Sequence, residues 1–194
     1  MSLEIITPPA TTPISRAELK THLRVDTTAE DDYIDAVILA ATDYFEQRSW
    51  RQLITATYGL YLDDFPTDYI EFPKAPLQSI TSVQYVDTSG VTQTWSSALY
   101  EVDLKSEVGK LRPIDGEGFP GVDNVYNAVT ITFKAGYGDA GTDVPDMILS
   151  TIKLIGAYFY ENRQNILTTG SVSEIPVPMA LGHLINQYSL REFV

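Results

Sequence analysis

The sequence predicts an α+β fold in which helices at both ends of the chain form a small helical bundle and an antiparallel β-sheet block is inserted between them. Helix-periodic segments occupy residues 15 to 50 and about 144 to 190, and a strand-patterned block rich in Thr, Tyr and Val lies between them. Segregated helices and strands argue against a doubly wound parallel sheet with its cofactor crevice. We therefore expect a helical region (1–50 and 143–194) and an inserted antiparallel β region (51–142).

Composition excludes several classes of site. The chain has 194 residues, of which 44% are hydrophobic, so it can bury a sizeable core. It has no cysteine, which rules out disulfides, thiolate metal sites and a cysteine nucleophile. A formal net charge of -13 opposes adhesion to nucleic-acid phosphates. We find no signal-peptide pattern and no apolar run of spanning length, and expect a soluble protein without membrane association.

Two helices are predicted near the start of the chain. Ser15 and Glu18 have the spacing of a capping box, which favours a short helix that ends near Asp26. The stretch from Thr28 to Asp31 offers a second capping signal, and acids there favour the positive end of a helix dipole. The longer helix that follows has apolar residues at helical spacing, namely Ile34, Val37, Ile38, Ala41 and Phe45.

The middle of the chain predicts strands. Apolar and polar residues alternate from Gln52 to Leu62, and a turn signal at 87–90 indicates a hairpin in which Gly90 supplies a positive φ. We expect an antiparallel, meander-like sheet. Its further strand candidates are 69–72, 80–86, 91–95, 100–104 and 128–135.

Two more helices and a tail are predicted after the sheet. An acidic cap and the early Pro145 favour a third helix that runs to about Asn162. A last helix is expected at about 179–188, followed by an apolar tail, 189–194, whose side chains have no periodic element to join and so favour a partner surface. The predicted apolar face of the third helix consists of Met147, Ile148, Ile152, Ile155, Tyr158 and Phe159.

No segment carries a catalytic signature. Residues 116–121 match G-x-G-x-x-G, but no helix follows and Pro120 interrupts the motif, so a plain inter-strand loop is favoured over a nucleotide site. His22 and His183 lie in different helices and have no metal-ligand spacing. We therefore predict no catalytic, cofactor-binding or metal-binding residues.

The order of motifs resembles the head-tail connector proteins of tailed phages, in the head-completion adaptor family. The opening Ile6–Pro9, the stretch Ile14–Asp26 and the acidic helix start Glu30–Asp32 carry the first part of the resemblance. The rest is similar to the form with a β insertion between helices two and three, and the resemblance spans nearly the whole chain. Its later motifs are Pro73–Val83, Val129–Gly138, Val144–Ile148 and Tyr158–Arg163.

This resemblance implies a non-enzymatic structural subunit of the connector (neck) ring. Such a ring docks under the portal protein, extends the DNA channel without specific DNA binding, and provides a platform for the stopper or tail-completion protein. Closed rings need head-to-tail contacts between two different faces of each subunit. The implied location is the virion neck, with assembly in the host cytoplasm, and the isolated chain can stay monomeric until the portal templates the ring.

The resemblance also suggests candidate site residues. The C-terminal tail is expected to engage the portal, with Leu190, Arg191, Phe193 and Val194 as candidates, which agrees with its unpartnered apolar side chains. For the wall of the DNA channel, the candidates are three acids of the second helix, Asp32, Asp35 and Asp43.

Two alternatives from other functional classes remain open from the sequence. A carbohydrate- or receptor-binding module of a tail structure would use aromatic residues of the strands, with Trp95 as the residue to test, although packing is the favoured role for strand aromatics. A hydrolase that uses paired carboxylates is the second, because such pairs are spatial and leave no sequence spacing.

Overall fold

The computed structural model describes residues 1–163, 166–167, 173–174 and 179–190. The chain divides into two compact units. The sheet unit comprises Met1–Ala10 and Ile54–Asp139, and the helical unit comprises Thr11–Leu53 with the described residues from Ala140 to Leu190. The described residues form four helices together with antiparallel sheets, so the predicted α+β class is confirmed.

The helical unit contains α1 (Arg16–Leu23), α2 (Asp31–Ser49), α3 (Asp146–Glu161) and α4 (Met179–Asn186). Two short strands, β9 (Ile166–Leu167) and β10 (Ser173–Glu174), pair between α3 and α4. α2 packs against α1, α3 and α4. Its buried positions are those that the helical spacing predicts, since Ile34, Val37 and Phe45 are among them.

Local signals explain the start of α1 but not that of α2. The Ser15 hydroxyl accepts the amide of Glu18 and the Glu18 carboxylate accepts the amide of Ser15, at 3.2 and 2.8 Å, which confirms the capping box. The second predicted cap is wrong. Glu30 occupies the N-cap of α2 without a side-chain cap bond. Its carboxylate instead accepts the Tyr160 hydroxyl and the Arg163 guanidinium.

α3 covers α1 and α2 with a face of small and branched residues. The α3 residue Gly156 lies so close to α1 and α2 that a Cβ atom there would meet Leu19 Cδ1 at 3.2 Å. At the end of α3, the Arg163 guanidinium lies 4.2 Å above the Tyr33 ring and so ties α3 to the first turn of α2. Met147 was predicted for this face, but it is 52% exposed and is not among the buried residues of α3.

The sheet unit contains eight strands in two sheets. β1 (Ser2–Thr7), β2 (Ala56–Leu62), β4 (Leu77–Val86), β5 (Thr92–Thr94) and β8 (Val129–Ala135) form a five-stranded sheet in the order β1-β2-β8-β4-β5. β3 (Ile70–Glu71), β6 (Tyr100–Asp103) and β7 (Lys110–Pro113) form a three-stranded sheet in the order β3-β7-β6.

The sheets are antiparallel, but the predicted meander is wrong. A meander would pair β2 with its next neighbours along the chain, whereas β8 lies between β2 and β4. β8 pairs with β2 from Ala56↔Ala135 to Leu62↔Val129, and with β4 across two bulges. Every inward residue of β8 is fully buried and the strand pairs along its length with β2 and β4, contacts that the periodicity of a single strand does not reveal.

The core of the sheet unit is aromatic. The rings of Tyr58 and Phe133 stack at 5.5 Å, and Phe72 lies 4.9 Å from Phe133. Trp95 is 5% exposed and packs against Phe65 and Tyr100 at 5.7 and 5.0 Å. The aromatic residues of the strands therefore serve packing, the role that the sequence favours for them.

In the helical unit, the backbones of Pro13 and Gly141 lie close together and fix the segments that precede α1 and α3. A Cβ atom built on Gly141 would lie 2.2 Å from the carbonyl oxygen of Pro13. This is far inside van der Waals contact, and the obstacle is backbone, which cannot rotate away as a side chain can. Only glycine fits this position without displacing one of the two segments.

We predict that Gly141→Ala lowers the free energy of unfolding by at least about 1–3 kcal/mol, the usual cost of overpacking, because Pro13 and Gly141 must separate. Urea unfolding followed by circular dichroism measures the loss. Gly118→Ala is the matched control, since no atom lies within 4 Å of a Cβ there. An equal loss of unfolding free energy in both variants would contradict a stabilising role for the close contact between Pro13 and Gly141.

Candidate functional site

The candidate acids of α2 lie on two different faces. Asp32 and Asp43 are both exposed, and their separation of eleven residues places them within about 20° of each other around the helix. Leu39 lies between them on this face and is 59% exposed. We call the face formed by Asp32, Leu39 and Asp43 the outer face of α2. It presents two carboxylates on either side of an apolar side chain.

Asp35 faces α1 instead. Arg16 donates from Nε to Asp35 Oδ1 at 2.7 Å, and a second guanidinium nitrogen contacts Asp35 Oδ2. Arg16 also donates to Asp31 at 3.1 Å, and Lys20 donates to Asp31 at 2.6 Å. The hydrogen bonds and the charge of Arg16 hold the pKa of Asp35 below its ordinary value, and those of Lys20 and then Arg16 do the same for the pKa of Asp31. Asp35 is therefore a structural partner of α1.

The second candidate region is the end of the chain, and the structure anchors it. Three hydrogen bonds connect residues 188–190 to the end of α2 and the residues after it. Arg51 Nε donates to the carbonyl of Tyr188 at 2.6 Å, Ser189 Oγ donates to the carbonyl of Arg48 at 3.2 Å, and the Leu190 amide donates to the carbonyl of Ser49 at 3.1 Å. We call this group of contacts the C-terminal anchor.

Arg51 is the central residue of the anchor. It is only 8% exposed, and its guanidinium meets a carbonyl just beyond the C-terminal end of α4. Helix C-termini carry partial negative charge and unsatisfied carbonyls, so a buried cation there is favourably placed. The neighbouring backbone is also fixed, since Trp50 adopts φ 60° as the C-cap of α2.

The anchor changes the expectation for the tail. Leu190 is 4% exposed, so the prediction that it has no element to join is wrong. The amide hydrogen bond of Leu190 is made within its own helical unit, to the carbonyl of Ser49. The other three candidates, Arg191, Phe193 and Val194, lie outside the described residues.

No sequence pattern indicates the anchor. An arginine after a helix is common, and its acceptor here lies 137 positions further along the chain. Glu46 was also missed, although it accepts the Leu53 amide at 2.8 Å and a Gln52 amide hydrogen at 3.0 Å. Both residues organise the turn that follows α2.

In the described part of the chain, no group of three or more His, Cys, Asp or Glu side chains could hold a metal ion. None of its helices is long and apolar enough to span a membrane. The 116–121 segment is a loop between β7 and β8, as the sequence predicts. Trp95, on which glycan binding would depend, is buried in the core.

We predict that the helical unit loses stability as the pH falls and that Asp35→Asn reduces this loss. The folded pKa of Asp35 is depressed, so its contribution is fully present above the unfolded value of about 4 and disappears as the pH falls through the folded value. Unfolding free energies measured from pH 7 to pH 3 test this. Asp43→Asn, at an exposed site on the same helix, is the control, and an equal change in slope for both variants would contradict the prediction.

Comparison with known proteins supports the resemblance noted in the sequence. Residues 15–96 match the model of the phage gp6-like head-tail connector protein family. Among curated proteins, none matches the chain significantly. The family match covers the first two helices and the first strands of the sheet unit after them.

Solved structures extend the likeness to almost the whole chain. A chain in the virion of a native gene transfer agent particle has a TM-score of 0.79 at 24% identity. One in the neck of an empty gene transfer agent particle, computed with C6 symmetry, has a TM-score of 0.78 at 25% identity. A third, in the neck of the native particle computed with C12 symmetry, has 0.69 at 24%. Each match covers 97% of this chain and 95% of the other.

The predicted resemblance is confirmed: over residues 15–96 the chain matches the phage gp6-like head-tail connector family, and over 97% of its length it shares the fold of a chain in the neck of a gene transfer agent particle.

Proposed function

We propose that this chain is a non-enzymatic structural subunit of the head-tail connector in the neck of a tailed phage or phage-like particle. The observation that carries the proposal is the agreement of two independent comparisons, a family match at residues 15–96 and a fold match over 97% of the chain to the neck of a gene transfer agent particle. The localisation that follows is the virion neck, after assembly in the host cytoplasm.

In this proposal the subunits form a closed ring beneath the portal protein. The similar chains come from necks computed with C6 and C12 symmetry, which supports a cyclic arrangement. Cyclic rings use heterologous contacts, so each copy needs two different surfaces that fit each other. The ring would extend the DNA channel and give the stopper or tail-completion protein its platform.

The outer face of α2 is the proposed channel wall. Its two exposed carboxylates would repel the DNA phosphates, so that DNA passes without adhering. The chain's net charge of -13 supports the same role. The charge of Asp35 is paired with Arg16, so Asp35 is the weakest of the three candidates.

The proposed portal contact is the C-terminal tail. The anchor supports it, because the chain is held in place up to Leu190 by contacts that do not involve the last four residues. We therefore keep Arg191, Phe193 and Val194 as the proposed portal contacts and assign Leu190 to the anchor.

The portal contact is tested with a chain that stops after Leu190. We expect this variant to unfold at the same temperature as the full chain, because the anchor is intact, and to lose binding to the portal protein of the same phage. Binding is measured by light scattering of the mixture. Unchanged portal binding would contradict the tail assignment.

The control is an Arg51→Ala chain of full length. Loss of the Arg51 hydrogen bond leaves the Tyr188 carbonyl without this partner, so we expect the free energy of unfolding to fall by about 1–3 kcal/mol. The proposed portal-binding residues are still present in this variant. A chain without residues 189–194 would be less informative, since it removes part of the anchor together with the tail.

The channel wall is tested by charge reversal. Asp32→Lys combined with Asp43→Lys should slow DNA release from filled particles, and high salt should restore the rate, because each new lysine can bind a phosphate in exchange for counterions. Asp26→Lys combined with Asp139→Lys, at two other exposed acids, gives the same change in net charge. Equal release from both doubles would contradict a channel position for the outer face of α2.

A further inference from the structure

β1 is an edge strand with an open side. It pairs with β2 on one side and ends the strand order of the five-stranded sheet among the described residues. It is also exposed on both faces, since Ile5 is 53% and Ile6 49% exposed. An edge with consecutive exposed apolar side chains is a template for another strand.

The usual protection of an edge is weak in β1. Soluble proteins guard edges with lysine, inward charges or proline. β1 contains neither lysine nor proline, and the carboxylate of its one acid, Glu4, accepts the Tyr61 hydroxyl of β2 at 3.1 Å. This bond turns the charge toward the chain's own sheet and raises the pKa of Tyr61. Within the strand, one feature disfavours pairing with another strand, namely the irregular register between Ile5 and Thr7.

The opposite edge of the same sheet is also open. β5 ends the strand order there, and its three residues are all exposed. It pairs with only the last three residues of β4, from Gln84 to Val86. Two of its three residues are Thr, which favours extended backbone, and the adjoining Val91 is 53% exposed and could contact an apolar side chain of a new neighbour.

Strand direction determines which kind of assembly these edges can make. Each adjacent pair in the five-stranded sheet is antiparallel, so the first and fifth strands in the order, β1 and β5, run in the same direction. Joining β1 of one copy to β5 of the next therefore gives a parallel contact between two different edges. Such a contact repeats from copy to copy, whereas antiparallel pairing of two identical edges stops at a two-fold dimer.

We propose that β1 of each subunit pairs in parallel with β5 of the next subunit, so that the five-stranded sheets join around the ring. This inference rests on the proposed function, which requires a head-to-tail contact between two different surfaces. The partner strand belongs to a second copy of this chain, because β1 and β5 together provide the two different surfaces of a head-to-tail contact. The backbone groups of the edges supply the attraction, as in β-augmentation, and Ile5, Ile6 and Val91 supply apolar contacts.

Disulfide trapping tests the contact, and the chain is well suited to it because it has no native cysteine. Neighbouring strands lie about 4.7–4.9 Å apart, which is within the Cα separation that disulfides span. We would combine Ile5→Cys or Ile6→Cys with Thr92→Cys or Gln93→Cys, so that both faces of the pleat are sampled. The full-length variants are oxidised on the portal protein of the same phage, and the mass of the assembly is measured before denaturing electrophoresis.

The expected result is a ladder of covalent oligomers from at least one double variant and none from the single variants. A ring without any ladder would overturn the strand pairing and leave the proposed function standing. Dimers from Ile5→Cys or Ile6→Cys alone would show two-fold pairing of β1 and would overturn it as well. If no ring forms on the portal, the proposed function fails and this inference fails with it.

A second variant gives an independent measurement. Ile5→Lys combined with Ile6→Lys places charge on the edge, and we expect the concentration for half-maximal ring assembly to rise by at least about tenfold. Leu104→Lys, at a 49% exposed apolar site outside both edges, is the matched control. Near-UV circular dichroism checks that the sheet unit remains folded. Assembly that is equally affected, or unaffected, in both variants would overturn the proposal.

Discussion

The position of β8 between β2 and β4 is the constraint on which the sheet unit depends. Val129, Ile131, Phe133 and Ala135 are all fully buried, and the strand pairs along its length with a neighbour on each side. The chain leaves this sheet after β5 and returns to it for β8. The residues between them form β6 and β7, which make the three-stranded sheet together with β3.

Elements with strong local signals could be predicted from the sequence. The Ser15 capping box, the spacing of buried residues in α2 and the proline before α3 act within one or two turns of helix, and all three helices form there. Four strands were missed, β1, β7, β9 and β10, and each is held by pairing with another strand that its own residue pattern does not reveal. Strand order failed for the same reason, since periodicity carries no information on which strands pair.

In the candidate site, too, local patterns predict the residue type and tertiary contacts decide its role. The sequence identifies acids on α2 but cannot separate Asp35 from Asp32 and Asp43, because the difference depends on Arg16 reaching across from α1. It identifies the apolar tail but cannot show that Leu190 is held by Ser49. In both cases the residue type was correct and the tertiary partner, which decides its role, lay outside the local pattern.

The C-terminal anchor has a mechanical consequence. Its three hydrogen bonds run from residues 188–190 to residues 48–51 at the end of the longest helix in the described chain. A pulling force applied to the chain at Leu190 would be transmitted to the last turn of α2 and not to the eight-residue α4. Because several bonds near one point share the load, the short helix would be shielded from unwinding while the long one carries the force.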